Sequence, residues 1–305
     1  MSSAIAILTY NRLGALRALV EGVEKHCGRY PLAIFDDCGQ KDGTAAYLRK
    51  ESQPVRRVTL WADQYTNGTV STFLGWRNLG VAGNSNRALK WFVDGGWDHL
   101  CLLNDDLYVL GDFVDFYRQA HEDLGVGLFC FCDFDRASPA ISGNPDSYKW
   151  VTVRSRGYHV KLLPRLTGIM LSLTRELVDK IGYFDAAFGR FGEEHCDYTY
   201  RARFAGFMKL DGQDQGGLDV EHYKVGQPPC ALLKHQDAET SLAGMERKTA
   251  DHEAMVAMRE ASQNYRTRHV YRPCRLRLPK LAGAYRGSGI PVNNLLEGYA
   301  LVDDS

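Results

Sequence analysis

Residues 99–107 read His-Leu-Cys-Leu-Leu-Asn-Asp-Asp-Leu, a short, largely apolar strand over His99–Leu103 that runs straight into Asn104-Asp105-Asp106. A run of this length, bounded by polar residues, is the mark of a buried strand. Upstream, the same punctuation recurs. Ala4–Leu8 is an apolar strand closed by Thr9-Tyr10-Asn11-Arg12, and Pro31–Phe35 is a second, closed by Asp36-Asp37. Between them Leu13, Leu16, Leu19, Val20 and Val23 recur at helical spacing, and Asp42–Lys50 begins another helix. Val55–Trp61 alternates as a third strand, and Asn84-Ser85 is placed to cap a helix carrying Ala88, Leu89, Trp91 and Phe92. Strand–helix alternation predicts right-handed crossovers and a mostly parallel sheet. In such sheets ligands sit at the carboxyl ends of the strands, and three polar clusters fall at those ends. One such cluster is ordinary strand punctuation; three converging on one edge predict a site.

Composition narrows the class. The chain has 305 residues, 45% hydrophobic and 24% charged, so it can bury a large core. Lys plus Arg (37) equals Asp plus Glu (37), which excludes a polycation built to coat nucleic acid. No apolar run approaches the length of a membrane helix, and the first residues lack the basic start of a secretory leader. The eight cysteines form no CxxC pair, and Cys101, Cys130 and Cys132 lie in apolar runs, as expected of reduced thiols in a cytoplasmic protein.

The second half is less regular. Gly125–Cys132 is predicted as a buried strand, Asp133 to about Arg165 as a long polar stretch and Gly168–Leu173 as a strand. Arg175–Ile181 and Glu193–Ala205 are predicted as helices, Leu218–Val220 as a strand leading to Glu221-His222, and about Gly244–Tyr265 as a last helix. No GxGxxG follows the first strand and no GxxxxGK[ST] occurs, which removes the main warrant for a dinucleotide enzyme or a P-loop nucleotidase. The closest approach to a phosphate loop is Asn78–Asn86, with Gly80 and Gly83 ahead of a helix; a plain capped turn is the competing reading. Asp105-Asp106 offers oxygen ligands suited to Mg²⁺ or Mn²⁺, and adjacent carboxylates demand either a cation or compensating donors.

Ile5–Arg12, Phe35–Thr44, Asn78–Asn86 and Leu103–Leu107 together resemble the family-2 glycosyltransferases with the GT-A fold. Gly168–Leu173, Ile181–Asp185 and Phe191–Arg201 with Ala205-Gly206 continue the likeness in order, over roughly residues 4 to 225. The resemblance implies an α/β, GT-A-type Rossmann-like sheet, mostly parallel and flanked by helices, with a helical and basic C-terminal extension. Residues 1–240 would form the catalytic domain, its nucleotide half about 1–110 and acceptor half about 111–240, and 241–305 the extension.

It further implies an inverting, metal-dependent transfer of a sugar from a nucleotide-diphosphate donor, a UDP-sugar by preference, to an acceptor hydroxyl. Thr9, Tyr10, Asn11 and Arg12 would line the base and ribose pocket, with Asp36, Asp37, Arg77, Asn78, Gly83, Asn84 and Asp105 completing the nucleotide site. Asp37 would meet the nucleobase. Asp106 would be the direct ligand of Mn²⁺ or Mg²⁺, joined by His222. The family places an aspartate base six residues before the arginine of the last motif. Here that position is His195, preceded by Glu193-Glu194, so the base is assigned to the Glu194–His195 pair, with Asp197 a helix-capping or His195-orienting residue.

Two basic runs bear on the acceptor. Lys149, Arg154, Arg156, His159, Lys161 and Arg165 form one; Arg266 to Arg286, interleaved with Tyr265, Tyr271 and Tyr285, forms the other. They suit an anionic acceptor: an acidic glycan, a phosphorylated lipid carrier or nucleic acid. Trp61, Tyr65, Phe73 and Trp76 are candidates for sugar stacking, or core. A nucleotidyltransferase of similar layout, or a non-catalytic nucleotide- or carbohydrate-binding relative, is the competing reading.

Overall fold

The computed structural model describes residues 1–39, 41–51, 57–59, 62–66, 70–131, 151–163, 169–185, 194–210, 213–214, 217–224 and 232–236. The elements in chain order are β1 (Ser3–Thr9), α1 (Leu13–Cys27), β2 (Leu32–Asp36), α2 (Thr44–Glu51), β3 (Arg57–Thr59), β4 (Ala62–Thr66), β5 (Val70–Gly75) and α3 (Gly80–Asp94). There follow β6 (His99–Asn104), β7 (Leu107–Val109), α4 (Phe113–Leu124), β8 (Leu128–Phe131), β9 (Val151–Ser155), β10 (Tyr158–Leu163) and β11 (Met170–Thr174). The last are α5 (Arg175–Ile181), α6 (Glu194–Phe204), β12 (Lys209–Leu210), β13 (Gln213–Asp214), β14 (Gly217–Lys224) and β15 (Leu233–His235). The basic tail and the helix expected over about 244–265 lie outside the described residues, as do Cys132 and Trp61.

One sheet of eleven strands, ordered β3-β4-β5-β2-β1-β6-β11-β8-β14-β10-β9, organises the described residues. Its centre, β5-β2-β1-β6, is parallel as expected. β1 and β2 are buried along their whole length, which is why both read as unbroken apolar runs. Beyond β6 the sheet is mixed: β11 is antiparallel to β6 and β8, β14 parallel to β8, and the edges β3-β4 and β10-β9 antiparallel. α1 buries Leu16, Leu19, Val20, Val23 and Cys27, one stripe at helical spacing. α4 is closed by Asp112, which accepts from the Asp115 amide, and by left-handed Gly125.

Three expectations are corrected. The stretch to Arg165, read as a long polar stretch with no strand assigned in it, contains the β9–β10 hairpin. Arg156 and Gly157 sit at φ 46° and 89° in its turn, the geometry that matches the twist of the flanking strands. β14 runs on to Lys224, so Glu221 and His222 lie within a strand and not after one. α3 starts at Gly80, not at Asn84-Ser85, which fall inside the helix.

Candidate active site

The loops after β1 and β2 are tied to each other before they are tied to anything else. Asn11 (φ 52°) and Cys38 (φ 66°) both turn left-handed, and the Asn11 side-chain oxygen accepts from the Lys41 amide at 2.9 Å. The Gly39 amide donates to both Asp36 carboxylate oxygens at 3.0 Å. A Cβ on Gly39 would stand 2.6 Å from Asp36 Oδ1 and 2.8 Å from the Asn11 nitrogen, so the close approach requires glycine. Asp42 caps two helices at once: one oxygen accepts from the Leu13 amide at 2.6 Å, the other from the Thr44 amide and hydroxyl at 3.0 and 2.7 Å. The Arg12 side chain at that helix start carries only donors, so it takes no part in capping and reaches across the sheet edge.

Arg12 reaches the acidic pair. Its Nη1 lies 3.0 Å from Asp106 Oδ2 and 3.3 Å from Asp105 Oδ1, and the Thr9 hydroxyl donates to Asp105 Oδ2 at 2.7 Å. The two neighbours therefore differ. Burial pushes Asp105 up to about 7, against the pull of Arg12 and Thr9. Burial acts on Asp106 too, but hydrogen bonds from His235 and Arg12 outweigh it and hold that carboxyl below the usual range. Asp106 Oδ1 is buried with no hydrogen-bond partner among the described residues.

The histidine at Asp106 is His235, its Nε2 3.4 Å from Oδ2. β15 delivers it by pairing with β7, and Gln236 fastens the strand: its amide donates to the Asp106 carbonyl at 2.7 Å and its Nε2 to the Leu107 and Ala15 carbonyls at 2.6 and 3.0 Å. The expected histidine was His222. Its backbone lies in β14, three strands from β6 or about 14 Å at ordinary strand spacing, and its side chain is outside the described residues. Among the described residues no cluster of three or more His, Cys, Asp or Glu is gathered in ligand geometry.

Asp37, Gly83 and Asn84 are committed to packing α3 on the sheet. Asp37 accepts from the Leu79 and Gly80 amides at 2.8 Å and from Arg87 Nη2 at 3.0 Å. The helix start expected to favour an anion is thus already capped by a carboxylate of the chain. Arg87 is wholly buried and also donates to the Asp36 carbonyl at 3.2 Å and to the Asn84 side-chain oxygen at 2.7 Å. Asn84 in turn donates to the Phe35 carbonyl at 3.0 Å. A Cβ on Gly83 would come within 2.5 Å of Leu79 Cβ, so its role is close packing. Asn78 accepts from the Gly80 amide at 2.9 Å, while Arg77 and Tyr10 are exposed. Phe73 is core, stacked on Phe35 at 4.4 Å.

α6 starts at Glu194, and the turn after it ends at Phe207, whose carbonyl accepts from Gly127 just before β8. The His195 ring meets Phe184, whose backbone is bonded to the Asn86 side chain of α3. His195 Nδ1 lies 3.0 Å from Glu194 Oε1. Asp197 neither caps α6 nor orients His195: it is paired with Arg201 at 2.7 and 2.8 Å, and Arg201 also donates to the Ile181 carbonyl at 2.8 Å. Glu193 lies outside the described residues. On the basic hairpin Arg154 and Arg156 are exposed; Lys149 and Arg165 lie outside the described residues, as does the Lys161 side chain.

No family model matches the chain, and no curated protein matches it. Solved structures of similar layout exist. They include the mannosyltransferase PcManGT of Pyrobaculum calidifontis, in complex with GDP-Man and Mn²⁺ (16% identity, TM-score 0.46, covering 69% of this chain and 55% of that one). GalNAc-T7 with UDP, GalNAc and Mn²⁺ is 16% identical at TM-score 0.48, covering 72% of this chain and 42% of that one. S. aureus TarS is 16% identical at TM-score 0.45, covering 67% and 34%. This chain thus spans about half, or less, of the length of those it matches. Among the described residues no helix is long and apolar enough to cross a membrane.

Proposed function

We propose that the chain transfers a sugar from a nucleotide-diphosphate donor to an acceptor hydroxyl, with inversion at the anomeric carbon. The observation that carries the reading is the gathering of Thr9, Arg12, Asp105, Asp106 and His235 at the carboxyl edge of the parallel strands. Exposed Tyr10 offers a flat face to the nucleobase, and Arg12 is the cation placed for the diphosphate. In this reading residues 1–110 serve the donor and 111–240 the acceptor.

The donor set fits a divalent cation: Asp106 is held ionised, keeps a buried oxygen with no hydrogen-bond partner among the described residues, and has His235 beside it. Asp106 and His235 would hold Mn²⁺ or Mg²⁺, which when bound neutralises charge on the departing diphosphate. Asp105, drawn toward neutrality by burial and bonded to Thr9, keeps the loop in place. The Glu194–His195 pair takes the acceptor's proton. Exposed Arg154, and Arg156 beyond its bond to the Asp123 carbonyl, favour an anionic acceptor, and the buried thiols Cys27, Cys101 and Cys130, none in a disulfide, suit a reducing compartment.

Calorimetry with UDP and GDP, each with Mn²⁺, tests the reading. Wild type should release heat with at least one, and Asp106→Asn should bind it at least tenfold more weakly. No heat from wild type with either nucleotide refutes the proposal. Release of pyrophosphate instead of free nucleoside diphosphate from a nucleotide sugar would favour nucleotidyl transfer.

A further inference from the structure

We infer that His195 Nε2 is the atom that takes the proton from the acceptor hydroxyl, and that Glu194 is the residue positioning it; this rests on the sugar-transfer reading above. His195 Nδ1 faces Glu194 Oε1 at 3.0 Å, and an ionised carboxylate can only accept. With the ring hydrogen on Nδ1, toward that carboxylate, Nε2 keeps its lone pair for the acceptor. Exposure separates the two roles: the His195 side chain is 15% exposed and that of Glu194 only 4%, so the histidine is the member open to a substrate. Glu194 is also the first residue of α6, and the amino end of a helix favours a negative charge.

The ring is held from several sides. Phe184 meets it edge-on at 5.6 Å and is itself stacked on Tyr198 at 4.2 Å. Both backbone polar groups of Phe184 are bonded to the Asn86 side chain, at 2.8 and 2.9 Å. The Thr199 hydroxyl donates to the His195 carbonyl at 2.7 Å. Asp197, the other carboxylate on this turn, is spent on Arg201. A base held in one tautomer by a buried carboxylate is the logic by which a histidine can replace the expected aspartate. In the step, the acceptor O–H proton passes to Nε2 as the oxygen bonds the anomeric carbon. The bond from that carbon to the diphosphate oxygen breaks, its electron pair leaving with the nucleoside diphosphate. The imidazolium then returns its proton to solvent.

The test uses full-length protein labelled with ¹⁵N at histidine, the His195 ring assigned by its disappearance in His195→Gln. Wild type at pH 8 should show Nδ1 protonated and Nε2 bare, and Glu194→Gln should raise the Nε2–H form. Hydrolysis of UDP-GlcNAc and GDP-mannose is followed in parallel by nucleoside diphosphate release. His195→Gln should lower kcat about 100- to 10,000-fold with KM for the nucleotide sugar unchanged, and Glu194→Gln should lower the same constant by less. An Nε2–H tautomer in wild type, or full kcat in His195→Gln, overturns the assignment while leaving the transfer reading standing. Wild type that hydrolyses neither sugar and binds neither UDP nor GDP overturns the transfer reading and this role with it.

Discussion

Replacing His121 with glutamine should flatten the acid sensitivity of the fold by about one proton. His121 and His99 are buried on either side of Ser172, each Nε2 2.8 Å from its hydroxyl. His121 Nδ1 lies 2.6 Å from the Val126 carbonyl, so it must carry the ring hydrogen, and Ser172 donates to His121 Nε2. His99 Nε2 then donates to Ser172, and the Ser3 hydroxyl at 3.0 Å donates to His99 Nδ1. Every hydrogen in this network is assigned, and a second proton on His121, at Nε2, removes the acceptor of the Ser172 hydroxyl. Burial accordingly lowers His121 from 6.5 to about 4, with His99 pushed well down in the same direction.

Between those values the unfolded chain binds a proton that the folded chain refuses. The contribution of His121 is therefore complete above about 6.5 and lost as pH falls toward 4, a ceiling of about 3 kcal/mol, of which about 2 kcal/mol is gone at pH 5. Asp36 and Asp105 act with the opposite sign. Burial raises both to about 7 from 3.8, so acid favours the folded state through that window. The whole curve is thus a sum of opposed terms, and only a difference isolates the histidine. Urea unfolding of wild type and His121→Gln from pH 8 to pH 5 supplies that difference, since glutamine preserves an acceptor for Ser172 but cannot titrate. The stability gap should shrink by about 2 kcal/mol over this range. Parallel curves would show that the ring is not kept neutral, and the hydrogen assignments would fall.

Arg87→Met should cost about 3–5 kcal/mol in urea unfolding, because it strands Asp37 buried without its counter-charge, and a second change, Asp37→Asn, should recover part of the loss. An unchanged midpoint in the single variant would mean the two amides suffice. Asn86→Ala removes both bonds to the Phe184 backbone and should lower stability by about 1–3 kcal/mol. It should also lower kcat for nucleotide-sugar hydrolysis more than it raises KM; an unaltered kcat would separate Phe184 from the placement of His195.

β1, β2 and β6 were legible because they are buried along most of their length and therefore read as apolar runs stopped by polar clusters; β5 was not, and the third strand expected over Val55–Trp61 gave instead the antiparallel edge strand β3. Asp105-Asp106 was legible for the same reason: adjacent carboxylates at a strand end are costly unless compensated. The nature of the compensation was not legible. It comes from Thr9 and Arg12 of the first loop and from His235, more than a hundred residues later, in a three-residue strand too short to show periodicity. His222 offered a clearer local context, an apolar strand followed by a histidine, but local context carries no information on which strand lies beside β6. The β9–β10 hairpin did leave a signal in the alternation Tyr158, Val160, Leu162 and in the Arg156-Gly157 turn; the charges between them obscured it. Asn84-Ser85 was misplaced because it looks like a cap from sequence, whereas the cap comes from Asp37, just after β2.

That substitution of caps explains how one helix serves both halves of the site. With Asp37 closing its start, α3 begins five residues earlier than a cap at Asn84 would allow, and nearly two turns bring Asn86 and Arg87 about 9–11 Å along the axis. Adjacent helical residues point about 100° apart. Arg87 therefore faces back to Asp37 and the β2 loop, while Asn86 faces the Phe184 backbone that packs His195. The donor-side loop and the proposed base are thus referenced to a single turn of helix, fixed by hydrogen bonds at both ends. Alignment of a hydroxyl with an anomeric carbon loses rate steeply with small displacements. A rigid common turn, rather than the contact of two independent loops, is the construction that can hold such alignment.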